Sequence, residues 1–143
     1  MSVKDVLNIL SKISPFLEGV TVSGGEATLN YEFITLLFKE IKKKYPNLTC
    51  YVDTNGGLDL SEARFKEFIG IVDKFMLDIK IWDENKHQEL TGVSNKIVIK
   101  NLDYLASIDK LYEVRIVVLG NEFENYNETV KNVSEKIKNS NIK

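Results

Sequence analysis

The sequence predicts an α/β fold, with about four parallel strands and flanking helices. Three observations predict it. Short β-branched runs alternate with longer stretches whose apolar residues recur every three or four positions. The helical stretches are long enough to act as right-handed crossovers between parallel neighbours. The glycine-rich and charged motifs fall where the strand runs end, the rim at which parallel α/β folds hold ligands.

Val3, Val6, Leu7, Leu10 and Ile13 make a helical stripe at the start of the chain. Residues 20–23 read as a short strand that runs into Ser23-Gly24-Gly25-Glu26. Residues 31–45 are helical, with Phe33, Ile34, Leu37, Phe38 and Ile41 on one face, and Pro46-Asn47 stops them. Residues 48–53 are a second strand, and Thr54-Asn55-Gly56-Gly57 is a loop. Ser61 is expected to cap a helix ending near Gly70. Residues 74–79 form a third strand, and residues 83–90 a short helix with Gly92 as its C-terminal cap. Ser94 is expected to open a helix that reaches Ser107. Residues 113–119 read as a fourth strand and residues 125–139 as a last amphipathic helix. With 143 residues and no linker, repeat or low-complexity stretch, residues 1–143 read as a single domain.

A net charge of −2 gives no electrostatic case for nucleic acid or an anionic membrane. The run Lys42-Lys43-Lys44 closes a helix, where cations suit the negative end of the dipole. Lys4, Asp5 and Lys12 interrupt the first apolar stretch, so it reads as neither signal peptide nor membrane span. One cysteine, Cys50, excludes an internal disulfide and a multi-cysteine metal site within these residues. A cytoplasmic protein is expected.

The chemistry collects at the strand ends. Gly24 and Gly25 leave bare backbone at the first tip, and Glu26 adds a negative charge that suits an ammonium-bearing ligand. The second strand ends in Asp53-Thr54-Asn55-Gly56, the third carries Met76, Asp78 and Lys80, and the fourth carries Arg115. A charge within an apolar strand must pair, meet water or bind something. Asp53 could make an Asx turn, Asp78 and Arg115 an ion pair, and Lys80 could snorkel from the edge. His87, the only histidine, has no histidine or cysteine partner for a metal, and Cys50 reads as a small buried residue.

Ser23-Gly-Gly-Glu-Ala27, Val52-Asp-Thr-Asn-Gly56, Met76-Leu-Asp-Ile-Lys80 and His87-Gln-Glu-Leu-Thr-Gly-Val-Ser-Asn95 occur in this order. Together they resemble the radical SAM enzymes that activate glycyl radical enzymes, of the pyruvate formate-lyase activating type. The resemblance covers residues 3–138 and implies a partial (β/α) barrel. It also implies a chemistry. A [4Fe-4S] cluster passes one electron to S-adenosylmethionine, and the resulting 5′-deoxyadenosyl radical takes a hydrogen atom from a glycine of a partner enzyme such as pyruvate formate-lyase. An electron donor such as flavodoxin or ferredoxin is implied as a second partner.

Residue by residue, the resemblance assigns Gly24, Gly25 and Glu26 to the methionyl amino group, and Asp78, Ile79, Lys80 and Arg115 to further cofactor contacts. Asp53, Thr54, Met76 and Asp78 match positions that hold a monovalent cation beside the methionyl carboxylate. Hard cations prefer the oxygens such residues supply. The departures are equally definite. The family holds its cluster on a Cys-x3-Cys-x2-Cys loop before the Gly-Gly-Glu strand, and this chain carries one cysteine in all. After Arg115, Leu119-Gly120-Asn121 stands where the family has a proline-glycine turn. A core fragment is expected, without the N-terminal cluster-binding segment and the C-terminal strand. It is expected to hold no catalytic residue of its own, to be inactive alone, and to leave a raw sheet edge. The alternative is a cluster-free α/β binding or interaction module.

Overall fold

The computed structural model describes residues 1–118 and 123–138. Four parallel strands form one sheet in the order β1-β2-β3-β4: β1 (Gly19–Val22), β2 (Thr49–Thr54), β3 (Lys74–Ile79) and β4 (Leu111–Ile116). Every neighbouring pair is parallel, as right-handed helical crossovers require. The outer edges of β1 and β4 have no strand partner among the described residues.

Among the described residues six helices connect and flank the strands: α1 (Val3–Ile13), α2 (Tyr31–Lys44), α3 (Lys66–Ile71), α4 (Glu84–Thr91), α5 (Lys96–Ser107) and α6 (Phe123–Ile137). Local chemistry sets their ends. Ser2 and Asp5 form a reciprocal capping box on α1. The Asp83 side chain accepts from the Lys86 N–H to cap α4, and Gly92 closes it at φ +80°. Ser61 does not cap a helix. Its N–H and hydroxyl both donate to Asp59 Oδ1, which folds a local turn; a 3-10 turn (Ala63–Phe65) follows, and α3 begins only at Lys66. The Ser94-initiated helix likewise begins at Lys96, with Ser94 Oγ accepting from the Lys96 N–H.

The core lies between the sheet and its helices. Cys50 and Val52 of β2, Phe75, Leu77 and Ile79 of β3, and Leu111 of β4 are buried against Phe38, Ile41, Phe65, Phe68, Leu102 and Leu105. Aromatic edges interlock there, with Phe68 and Phe75 ring centroids 5.7 Å apart and Tyr31 and Phe65 4.8 Å apart. Each fully buried side chain of this size contributes about 1.5–3 kcal/mol from burial. The opposite face of the strands carries Asp53, Met76, Asp78 and Arg115, the alternate positions of the pleat. β4 starts and ends earlier than expected, at Leu111 and Ile116, and its register to β3 shifts between Phe75 and Met76.

Candidate functional site

The tip of β1 turns through two residues of positive φ, Gly24 at +101° and Gly25 at +56°. A side chain built on either would meet nothing within 4 Å, so backbone conformation rather than crowding demands glycine here. Ser23, Gly24, Gly25, Glu26, Asp53, Thr54, Asn55 and Asp78 line an open depression of about 150 Å³ at this end of the sheet.

The Glu26 carboxylate lines the depression and is held in place by the chain itself. Oε1 accepts from the Thr28 N–H (3.0 Å), the Thr28 hydroxyl (2.6 Å) and the Thr54 hydroxyl (2.6 Å), and Oε2 accepts from the Asn55 N–H (2.8 Å). Glu26 therefore ties the tip of β1 to the tip of β2. Main-chain atoms of Gly24 and Gly25 are what the rim offers to an ammonium group.

Thr54 is constrained by the same contact. It is buried, its hydroxyl donates to Glu26 and accepts from the Gly56 N–H (3.0 Å), and only its main chain can serve the rim. Ile79 is also buried on the helix side, so its side chain faces away from the rim.

Asp53, Met76, Asp78, Lys80 and Arg115 come together on the open face. Arg115 stands directly beside Asp78 in register, yet it does not pair with it. Its long arm crosses β3, where Nη2 donates to Met76 Sδ (3.0 Å) and Nη1 reaches Asp53 Oδ2 at 2.7 Å. Nε donates to Glu113 Oε1 at 2.6 Å. Glu113 first, and Asp53 with it, hold the guanidinium above its ordinary pKa. Asp53 Oδ2 also accepts from Ser23 Oγ (3.1 Å), so Asp53 makes an interstrand junction rather than an isolated Asx turn. Asp78 is balanced instead by Lys80, Nζ to Oδ2 2.9 Å, so Lys80 does not simply snorkel to solvent. Each of the two carboxylates thus has its own cation, Arg115 for Asp53 and Lys80 for Asp78. With Asp53, Asp78 and Glu113 against Arg115 and Lys80, and Glu26 behind them, the rim stays negative.

The Radical SAM superfamily profile matches residues 1–133. The chain belongs to the radical SAM superfamily. Among its relatives is the Pyruvate formate-lyase 1-activating enzyme of Escherichia coli K12, 39% identical over 101 residues, which are 71% of this chain and 40% of that protein. The Trans-4-hydroxy-L-proline dehydratase activating enzyme of Clostridioides difficile is 31% identical over 99% of this chain and 47% of its own length. The chain thus spans less than half the length of these two relatives.

Among solved structures, a domain of pyruvate-formate lyase-activating enzyme from Bacteroides vulgatus superposes with TM-score 0.66 at 26% identity, over 85% of this chain and 73% of that one. SuiB of Streptococcus suis superposes with TM-score 0.71 at 21% identity, over 96% of this chain and 31% of that one, and supports the fold alone.

Radical SAM proteins imply S-adenosylmethionine and a [4Fe-4S] cluster, and the residues present fit the two unequally. The glycine tip and the negative rim suit the ammonium end of S-adenosylmethionine. The cluster has no matching donor set in this chain. Cys50 is fully buried within β2, and burial, with Asp73 adding, pushes its thiol up to about 11. Among the described residues no three His, Cys, Asp or Glu side chains are grouped to hold a metal ion. Of the expected monovalent-cation set, Asp53, Met76 and Asp78 share the open face, while the Thr54 hydroxyl turns to Glu26 and leaves its main chain at the same end of the sheet.

Two residues to which the sequence assigned no role, Asn101 and the motif residue Asn95, shape this radical SAM rim. Asn101, fully buried on α5, donates from Nδ2 to the carbonyls of Gly56 (2.9 Å) and Leu58 (2.7 Å) and accepts from the Leu60 N–H (2.9 Å). Asn95, at the head of the same helix, donates to the carbonyls of Ile81 (3.2 Å) and Trp82 (2.6 Å). One helix thereby holds the loops after β2 and β3. The available signal was a polar residue at a core position of an apolar stripe, Val98-Asn101-Leu102-Leu105. The Leu119-Gly120-Asn121 departure lies outside the described residues. No helix among the described residues is long and apolar enough to cross a membrane.

Proposed function

We propose that this chain is the S-adenosylmethionine-binding core of a radical SAM activating enzyme whose target is a glycine on a partner enzyme of the glycyl-radical class. The observation that carries the reading is the rim itself. The left-handed Gly24-Gly25 tip stands beside a cluster of carboxylates held in fixed places by Arg115, Lys80 and Thr54. The relatives named above are by name activating enzymes, of a pyruvate formate-lyase and of a trans-4-hydroxy-L-proline dehydratase, which supports an enzyme as the target.

The methionyl ammonium would sit against the Gly24 and Gly25 carbonyls, where the negative rim favours it. Asp78 and Lys80 would orient the remainder of the molecule from the end of β3. Asp53, Asp78 and the main chain of Thr54 and Met76 would accept a monovalent cation near the methionyl carboxylate. Glu26 would act indirectly, by keeping the two strand tips at a fixed separation. Reduced by one electron, S-adenosylmethionine supplies the hydrogen-abstracting species of this superfamily. Because these residues offer no thiolate set for the cluster, electron entry, from a flavodoxin or ferredoxin, is assigned to protein outside this chain.

Calorimetric titration with S-adenosylmethionine tests the reading. Binding that Gly25→Val and Asp78→Asn each weaken by about tenfold supports it. Binding that neither variant alters, or no binding at millimolar ligand, overturns it.

A further inference from the structure

Beside the rim lies a second, larger cavity of about 360 Å³. It shares Asn55 and Asp78 with the rim, takes Gly57 from the loop after β2 and Lys80 from the end of β3, and is otherwise built by α4, the loop after it and the start of α5. Its far wall is apolar, made by Val93, Ile97 and Val98. His87 lines it too, although the residue is only 4% exposed. The His87 Nδ1 is buried without a hydrogen-bond partner among the described residues. Buried ring nitrogens are ordinarily satisfied, and the residue that carries this unsatisfied one lines the cavity. Val93 and Ile97 remain 61% and 41% exposed, which is costly surface for a groove that stays empty.

We propose that this cavity seats an apolar side chain next to the target glycine of the partner's segment, with a main-chain group of that segment meeting His87. The inference rests on the function proposed above. Three features select this occupant. The cavity opens onto the rim through Asn55 and Asp78, so a chain bringing a glycine to the rim must pass its mouth. Its volume of about 360 Å³ admits an aliphatic or aromatic side chain, and Val93, Ile97 and Val98 supply the apolar contacts for one. A glycine has no side chain with which to be recognised, so selectivity must come from its neighbours.

His87 is the only histidine of the chain, so its ring nitrogens are a site-specific reporter by nitrogen-15 NMR. The labelled 143-residue chain is titrated with acetyl-Ala-Leu-Gly-Ala-amide and acetyl-Ala-Gly-Leu-Ala-amide, with the same peptides carrying Asp in place of Leu, and with adenosine. The expected result is a saturable shift of the His87 nitrogens with at least one Leu peptide and none with its Asp counterpart. Val93→Asp and Ile97→Asp, both at exposed positions, should each weaken that binding by about tenfold while leaving S-adenosylmethionine affinity unchanged. The assignment is overturned if no Leu peptide binds, if Asp peptides bind equally, if neither variant changes the affinity, or if adenosine is what moves His87. A chain that binds S-adenosylmethionine but fails these tests loses the cavity assignment alone; one that binds no S-adenosylmethionine loses the underlying function.

Discussion

Along β2 and β3 the two faces of the sheet are built from the same six-residue strands and follow different rules. Toward the helices stand Cys50, Val52, Phe75 and Leu77, all fully buried and all packed. Toward the open side stand Tyr51, Asp53, Met76 and Asp78, joined by Arg115 and Glu113 from β4. On the first face the energy comes from area removed from water. On the second it comes from charges that partly remain in water. The Arg115–Asp53 pair keeps 44% and 18% of its two side chains exposed, and the Lys80–Asp78 pair 32% and 28%. Pairs of that kind contribute little to folding, so this face can be shaped by ligand chemistry without unfolding the domain.

Substitutions on the two faces should therefore separate cleanly. The largest effect is expected from Phe75→Ala on the packed face, a loss of about 3–5 kcal/mol in urea denaturation. Next comes Asn101→Ala, which strands the Leu60 N–H and the Gly56 and Leu58 carbonyls; a loss of about 2–3 kcal/mol is expected, together with faster amide exchange confined to the loop after β2. Glu26→Gln keeps the shape of the strut but presents a donor where an acceptor stood. It should cost about 1–2 kcal/mol and lower S-adenosylmethionine affinity without touching the rim's open carboxylates. Arg115→Ala on the open face should change stability by less than about 1 kcal/mol, and that small change should shrink further in high salt. An Arg115→Ala loss as large as that of Phe75→Ala would erase the distinction between the faces.

Cys50 tests the packed face by pH. Its folded-state pKa, about 11, lies above the model-compound value of 9.0. Between those values the unfolded chain gives up the thiol proton first, so the unfolded state binds fewer protons and stability falls as pH rises. Below pH 9 that contribution is fully present. Equilibrium denaturation from pH 8 to 11 should show the decline, and Cys50→Ala should remove that component of it.

What was legible in the sequence follows the same division. β3 was readable residue for residue, because an apolar strand bracketed by charged ends leaves little choice of boundary. The placement of Asp53, Asp78 and Arg115 on one rim was readable too, since period-2 alternation and parallel pairing follow from local pattern. Who pairs with whom was not. Register sets Arg115 beside Asp78, but the reach of a guanidinium and the competing Lys80 send it across Met76 to Asp53. The partners of Glu26 were not legible for a similar reason, as two of its four donors, Thr54 and Asn55, lie 28 and 29 residues away at the end of β2. Ser61 was misread because Asp59 captured it in a turn before a helix could use it.

The loop after β2 also bears on how the protein ages. Asn55-Gly56 is the dipeptide in which a glycine nitrogen most readily attacks the preceding carboxamide, closing a succinimide that opens to isoaspartate. That attack needs a free, mobile nitrogen and a free side chain. Here the Gly56 N–H is committed to Thr54 Oγ1, the Asn55 Oδ1 is committed to the Gly57 N–H, and Gly56 is clamped at φ +67° with its carbonyl held by Asn101. The folded chain thus disarms its most fragile peptide bond. Isoaspartate at position 55 becomes a chemical record of the time each molecule has spent unfolded.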